Sequence, residues 1–281
     1  MSEERASLGR MPPARKRTRS YDPVRIRAAV LAQFGHVRQA VGTLTAEQLA
    51  LPTRIGDWTV RELAAHIALA FGAVAAALDG PEPAKADAAL LDWPLSTDGC
   101  AGAPDEGPPV AACASRDLPA LYGRTAEAVG AALAGGPAER LVRTRAGGMR
   151  LADHLVTRAV ELVVRTDDLA DATGLDLPYE RQALAASVRL LADAFAVKAP
   201  GGSVELRIPP YAVVQCVEGP RHTRGTPANV VETDPLTWIR LATGRQAWAA
   251  AREAARVSAS GERSDLSALL PLMGRGPALM A

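Results

Sequence analysis

Aromatic side chains make up only 4% of the 281 residues, so alanine, leucine and valine must fill most of any core. Lysine is almost missing. Lys16, Lys85 and Lys198 are the only three among 32 basic residues, and the rest are arginine. With plentiful alanine, glycine and proline, this is the codon bias of a GC-rich genome, so a single arginine carries little information. Neither charge is in excess, with 32 basic residues against 31 acidic ones. A nucleic-acid binder concentrates a basic excess on one face, so nucleic acid is not an expected partner. Cys100, Cys113 and Cys216 are an odd number without metal-ligand spacing. They exclude a disulfide framework and point to a reducing cytoplasm. The best apolar run, 64–78, contains His66 and falls short of the ~20 residues that span a bilayer, so no membrane insertion is expected. No apolar stretch follows Arg10, Arg15, Lys16, Arg17 and Arg19, which excludes a signal peptide. Residues 1–21 read as a disordered basic tail, with Met11 as an alternative start. There is no glycine-rich phosphate loop, nucleophile elbow or HExxH motif.

What is present is enough chain for two domains, each with its own core. Residues 23–41 carry Val24, Ala28, Leu31, Phe34, Val37 and Val41 at the three-four spacing of an amphipathic helix. After a connector with a short turn at 45–49, Thr59 and Glu62 form a capping box that opens a second helix. Its stripe is Val60, Leu63, Ile67, Phe71, Val74 and Leu78, and Gly80-Pro81 end it. The stretch 81–115 has no sustained period and reads as a long loop, a candidate lid. A third helix is expected over 118–133. The fourth and clearest spans 150–172, with Leu151, Leu155, Ala159, Leu162, Thr166 and Leu169 on one side. Four such helices with one long connection suit a four-helix bundle over 22–173.

After Pro178 the texture changes. A helix over 179–197 precedes strands at 203–208, 211–218 and 229–232. Asp234-Pro235 then opens a helix through Leu241. A helix over 245–255, a strand at 256–260 and a short helix over 265–272 complete an α+β domain over 178–275.

Leu44-Thr45 with Glu47-Gln48-Leu49, Pro52-Thr53, Asp57-Trp58-Thr59-Val60-Arg61-Glu62-Leu63 and His66 resemble the N-terminal domain of mycothiol-dependent maleylpyruvate isomerases. That domain belongs to the DinB-like group of metal-binding four-helix bundles. The likeness continues on the fourth helix at Glu161-Leu162-Val163-Val164-Arg165-Thr166-Asp167-Asp168-Leu169. The part from Asp234-Pro235 through Gly244-Arg245 to Gly261 and Leu272 resembles the sterol carrier protein 2-like domain, in which a small sheet and helices enclose an apolar tunnel. The fold class implied is α+β, a DinB-like four-helix bundle followed by a smaller sterol-carrier-like domain.

The resemblance implies a divalent metal, usually zinc, on a His of helix two and a Glu and a His one turn apart on helix four. Carried over, these positions are His66, Glu161 and residue 165, where this chain has Arg165. A guanidinium stays protonated and has no lone pair for a metal. His154 lies on the same helical face as Glu161, but about 10 Å away along the axis. Two readings stay open. In one, His66 and Glu161 hold a metal. In the other the site is degenerate, Glu161 pairs with Arg165 at the i,i+4 spacing, and Arg165 recognises a small anion.

The activity that the resemblance implies is a mycothiol-dependent isomerase or transferase reaction on a small electrophilic or unsaturated acid. His66 and Glu161 would be metal ligands, and Arg165 and Arg245 would orient anionic groups. The alternative is a noncatalytic carrier that holds an apolar small molecule in the C-terminal domain. His36 and Cys216 read as packing, and His222 as a solvated loop residue. Trp58, Trp238 and Trp248 read as core anchors, while Trp93 has no assigned role.

Overall fold

The computed structural model describes residues 19–96, 107–219 and 228–273. It is α+β, with a helix-rich N-terminal region and a smaller sheet-containing part after it. Helix α1 (Pro23–Val41) starts where the Asp22 carboxylate accepts hydrogen bonds from the Val24 and Arg25 N–H groups. Capping boxes at Thr45/Gln48 and Thr59/Glu62 open α2 (Ala46–Leu49) and α3 (Val60–Asp79), each satisfying free N–H groups at a helix end. Next come α4 (Trp93–Ser96), α5 (Gly107–Ala114) and α6 (Leu118–Gly135). A hairpin of β1 (Leu141–Thr144) and β2 (Gly147–Arg150) leads into α7 (Leu151–Thr173). Gly174, in the left-handed region at φ 70°, closes α7.

By length and apolar composition α3 could cross a membrane. Its stripe from Val60 to Leu78 is instead buried, and the helix packs on α5, α6 and α7. Three of the chain's few aromatic rings stack at its centre, Phe34 on Phe71 at 4.3 Å and on Tyr122 at 5.1 Å. The Tyr122 hydroxyl, fully buried, donates to the Ala64 carbonyl.

Helix α8 (Arg181–Lys198) joins the two parts. It packs on α1 and α7 on one side and on the sheet and α9 (Pro235–Ala242) on the other. Being buried on both sides favours small residues, and Ala183, Ala185, Ala186, Ala192 and Ala194 are all in its core. The sheet runs in the order β4 (Ala212–Cys216), β3 (Val204–Ile208), β5 (Val230–Thr233), β6 (Val257–Ser260). The β3–β5 pair is parallel and the others antiparallel. The Asp234 carboxylate caps α9, and α10 (Trp248–Glu253) precedes β6. One continuous core runs through both parts.

Several expectations are corrected. The stretch 81–115 is not a single loop: α4 and α5 lie in it, and residues 87–88 are strapped to the hairpin. The Asp87 and Ala88 N–H groups donate to the Gly148 carbonyl at 2.9 and 3.1 Å, and the Gly148 N–H returns a 2.6 Å bond to Asp87 Oδ1. A Cβ at Gly148 would run into the Lys85 carbonyl oxygen, so only glycine fits under the strap. The hairpin itself was not expected, because four-residue strands leave little alternation to read. The helix expected over 245–255 shrinks to α10, and that over 265–272 to a 3-10 turn at Ser267–Leu269. At the described end of the tail, Arg19 Nε lies 2.9 Å from Asp193 Oδ2 on α8, which docks this residue rather than leaving it free. The basic residues before it, Met11, Cys100 and His222 lie outside the described residues.

Candidate functional site: a cavity between α3, α7 and the hairpin

Helix α7 carries the site. Eighteen of its 23 residues are buried, among them His154, Thr157, Arg158, Glu161, Arg165, Asp167 and Asp168. The polar side chains of this helix are therefore inside the molecule together with the apolar ones. Its N-terminal half meets α3 and the hairpin around a cavity of about 280 Å³. Leu69, Ala70, Ala73 and Ala77 of α3, with Trp93, Val110 and Met149, form an apolar wall. Opposite are His66, His154, Thr157 and Arg158, while Arg143, Thr144 and Arg145 reach in from the hairpin. Arg143 and Arg145 are exposed and stand at the rim, whereas Arg158 is 6% exposed. No carboxylate is among the described residues that line this cavity.

At the buried end a guanidinium is held in place by a carboxylate behind it. Arg158 Nη1 lies 2.6 Å from Glu161 Oε2, and Nη2 lies 2.6 Å from Oε1. Both histidine rings are neutral at pH 7. Burial first, and then the guanidiniums of Arg165, Arg158 and Arg145, hold His66 well below the ordinary imidazole range. Burial and Arg158 do the same to His154. The His66 ring also rests against Trp58, with centroids 4.8 Å apart. A smaller pocket that shares Ala70 and Arg158 with the cavity is lined by Glu161 and Arg165, together with Ile67, Phe71 and Leu162.

The C-terminal half of α7 holds a second polar cluster. Arg54 Nη2 lies 2.6 Å from Asp167 Oδ2, and Arg54 Nε lies 2.7 Å from Asp168 Oδ1. From the second part of the chain, Arg240 Nη2 reaches Asp167 Oδ1 at 2.6 Å. Arg245 holds both oxygens of Asp168 at 3.1 and 3.0 Å, and Arg165 Nη1 adds a 2.9 Å contact to Oδ2. The Tyr179 hydroxyl donates to Asp167 Oδ1. Burial alone would raise the Asp168 carboxyl, but Arg245, Arg165 and Arg54 outweigh it and hold the group well below the usual range.

These placements sort the residues singled out from sequence. His66 faces the cavity, and Glu161 meets it through Arg158. Arg245, 3% exposed in its side chain, is committed to Asp168 and to the Thr243 carbonyl, and neither it nor Arg165 is among the residues lining the larger cavity. The i,i+4 spacing suggested a Glu161–Arg165 pair. The structure adds Arg158 three residues before Glu161 as a partner on both oxygens, and turns Arg165 toward Asp168.

Residues 30–170, half of the chain, match the family model described as the mycothiol maleylpyruvate isomerase N-terminal domain. The chain belongs to that family. Residues 180–272 match a second model, described as a bacterial SCP ortholog. Among solved structures, the crystal structure of the mycothiol-dependent maleylpyruvate isomerase is similar at a TM-score of 0.56 and 15% identity, over 87% of this chain and 95% of that one. A histidine-to-alanine mutant of that enzyme is similar at a TM-score of 0.53, with the same identity and coverage. At this identity the two structures establish a shared fold. No curated protein matched the chain.

The isomerase family implies a metal, and the donor set here does not fit one. Among the described residues no group of three or more His, Cys, Asp or Glu side chains could hold an ion. Glu161 gives both oxygens to Arg158, and the guanidiniums of Arg165 and Arg145 bear on His66, where a cation would be repelled. Sequence reasoning gave Arg143, Arg145, Trp93 and Arg158 no role at the site. In a chain so rich in arginine, none of these positions stands out by composition.

Proposed function

We propose that the chain is a thiol-dependent enzyme that takes a small electrophilic or unsaturated acid into the cavity between α3, α7 and the hairpin. Mycothiol is the thiol that the family match suggests. One observation carries the reading: three guanidiniums and two neutral imidazoles face an apolar wall, and no carboxylate is among the described residues that line the cavity, Glu161 lying behind Arg158 as its partner. Such a lining recognises an organic anion, since the guanidinium fork matches a carboxylate and the wall accepts the carbon skeleton. Positive charge at the same place favours a thiolate over a thiol.

In the reaction this implies, the carboxylate of the bound acid offsets the guanidiniums that keep His66 neutral in the free protein, and His66 then accepts the thiol proton. The sulfur bonds to the β-carbon of the unsaturated acid as the double-bond electrons move into the conjugated acyl group. Rotation about the new single bond and expulsion of the thiolate return the isomerised acid, and the proton goes back from His66. The guanidiniums hold the acid and the negative charge that develops on it. A low-molecular-weight thiol stays reduced in the cytoplasm, the compartment that the cysteine usage suggests, and Cys113 and Cys216 are buried thiols outside any disulfide. The carrier alternative needs an apolar cavity beside the sheet. Trp238 packs edge-on against Phe195 at 5.6 Å with both rings buried, and the space of about 310 Å³ that lies against the sheet is an open groove bordered by Arg207 and Glu232 rather than an enclosed apolar tunnel.

The test is turnover of cis-unsaturated dicarboxylic and oxo acids by the full chain, followed by proton NMR with and without mycothiol. Isomerisation or adduct formation that needs the thiol is the expected result. No thiol-dependent reaction across the panel would remove this reading.

A further inference from the structure

Arg158 is an unusual group to find at the buried end of such a cavity. Its side chain and that of Glu161 are 7% and 3% exposed, and the two meet through parallel 2.6 Å contacts on both oxygens. Glu161 thereby offsets the cost of burying the guanidinium and fixes the plane of its fork. A guanidinium has five N–H donors. Glu161 engages both Nη atoms, and Nε makes a long 3.4 Å contact to Thr157 Oγ1. Each Nη still carries an N–H that does not point along the ion pair, and Arg158 lines the cavity. At the rim, Arg143 and Arg145 provide a second basic pole.

We propose that Arg158, with Glu161 as its counter-ion, supplies at this site the positive charge that the family's metal ion would supply, so that the cavity binds a small dicarboxylate without any metal. The proposal rests on the reading of the cavity as an anion site and names its ligand class. One carboxylate meets Arg158 at the buried end, and the other meets Arg143 and Arg145 at the rim. The carbon chain between them lies against Leu69, Ala73 and Trp93. A diacid spanning both poles gains two charge-assisted contacts, whereas a monoacid gains one.

The probe is maleate, titrated calorimetrically into the full chain after chelator treatment, with acetate and maleamide for comparison. Maleate should bind more tightly than acetate, maleamide should not bind, and added zinc should leave the affinity unchanged. Zinc offered to the protein and then removed by desalting should leave far less than one ion per chain. Because Arg158→Met alone strands the Glu161 charge and could unfold the protein, the decisive variant carries Arg158→Met together with Glu161→Met. Replacing a buried pair by apolar residues of similar size preserves folding in many proteins. The overall charge is unchanged, so any loss is local. Circular dichroism should match the wild type, and maleate affinity should fall by about 10–100-fold, the worth of a charged hydrogen bond. One zinc retained per chain, maleate binding that vanishes on chelation, or an unchanged affinity in the folded double variant would each overturn the proposal. The outcomes separate from those of the turnover test. Metal-free maleate binding without thiol-dependent turnover supports this proposal and removes the enzymatic reading. Turnover that needs both thiol and zinc supports the enzymatic reading and removes this proposal.

Discussion

Asp168→Ala is expected to destabilise the full chain by about 3–5 kcal/mol in denaturant unfolding, the usual cost of breaking one side of a buried ion pair. The carboxylate is fully buried and holds Arg245 from the second part, Arg165 from its own helix and Arg54 from the connector before α3. Its loss would leave Arg165 and Arg245 as buried cations facing each other. Asp167→Ala should cost less, because its partners Arg54 and Arg240 are 23% and 39% exposed and regain water. The effect depends on pH with a definite sign. The folded carboxyl sits below its ordinary range, so its contribution is full above about pH 4, the unfolded value. It is lost as pH falls through the folded value. Wild type and Asp168→Ala should therefore differ most at neutral pH and converge in strong acid. An unfolding difference under 1 kcal/mol at pH 7 would show that the cluster does not tie the two parts together.

His66→Phe is expected to lower thiol-dependent turnover by about 10²–10⁴-fold, the usual contribution of a positioned acid–base group. The KM for the acid should change little, because the guanidiniums that bind it remain. Phenylalanine can keep the contact with the Trp58 ring, so the fold should survive. The split between kcat and KM is what a packing role would not produce. A variant with unchanged kcat would assign the proton transfer elsewhere, with His154 the next candidate in the same cavity.

Much of the fold was legible because helix ends announce themselves locally. Thr59 with Glu62, Asp234 with Pro235, and Gly174 each solve a backbone problem within a few residues. The hairpin was not legible. Its strands hold four residues each, and its place depends on Asp87 and Ala88, some sixty residues earlier. Helix α5 opens on Gly107-Pro108-Pro109, which reads as loop. The candidate site was half visible. His66 and Glu161 could be located on their helices from the family pattern. The burial of Asp167 and Asp168 could not be foreseen, because Arg240 and Arg245 cover them from more than seventy residues away. Arginine at position 165 suggested a degenerate metal site. That its neighbour Arg158 would take both Glu161 oxygens depends on the packing around α7, which no spacing rule reports.

The central claim is that an organic anion, and not a metal ion, occupies the cavity between α3, α7 and the hairpin. A crystal structure of the full chain grown with maleate and zinc together tests it most directly. The account predicts maleate density with one carboxylate at Arg158 and the other near Arg143 and Arg145, and no anomalous zinc peak beside His66 or Glu161. Zinc bound by His66 and Glu161, with Arg158 swung out of the cavity, would contradict it.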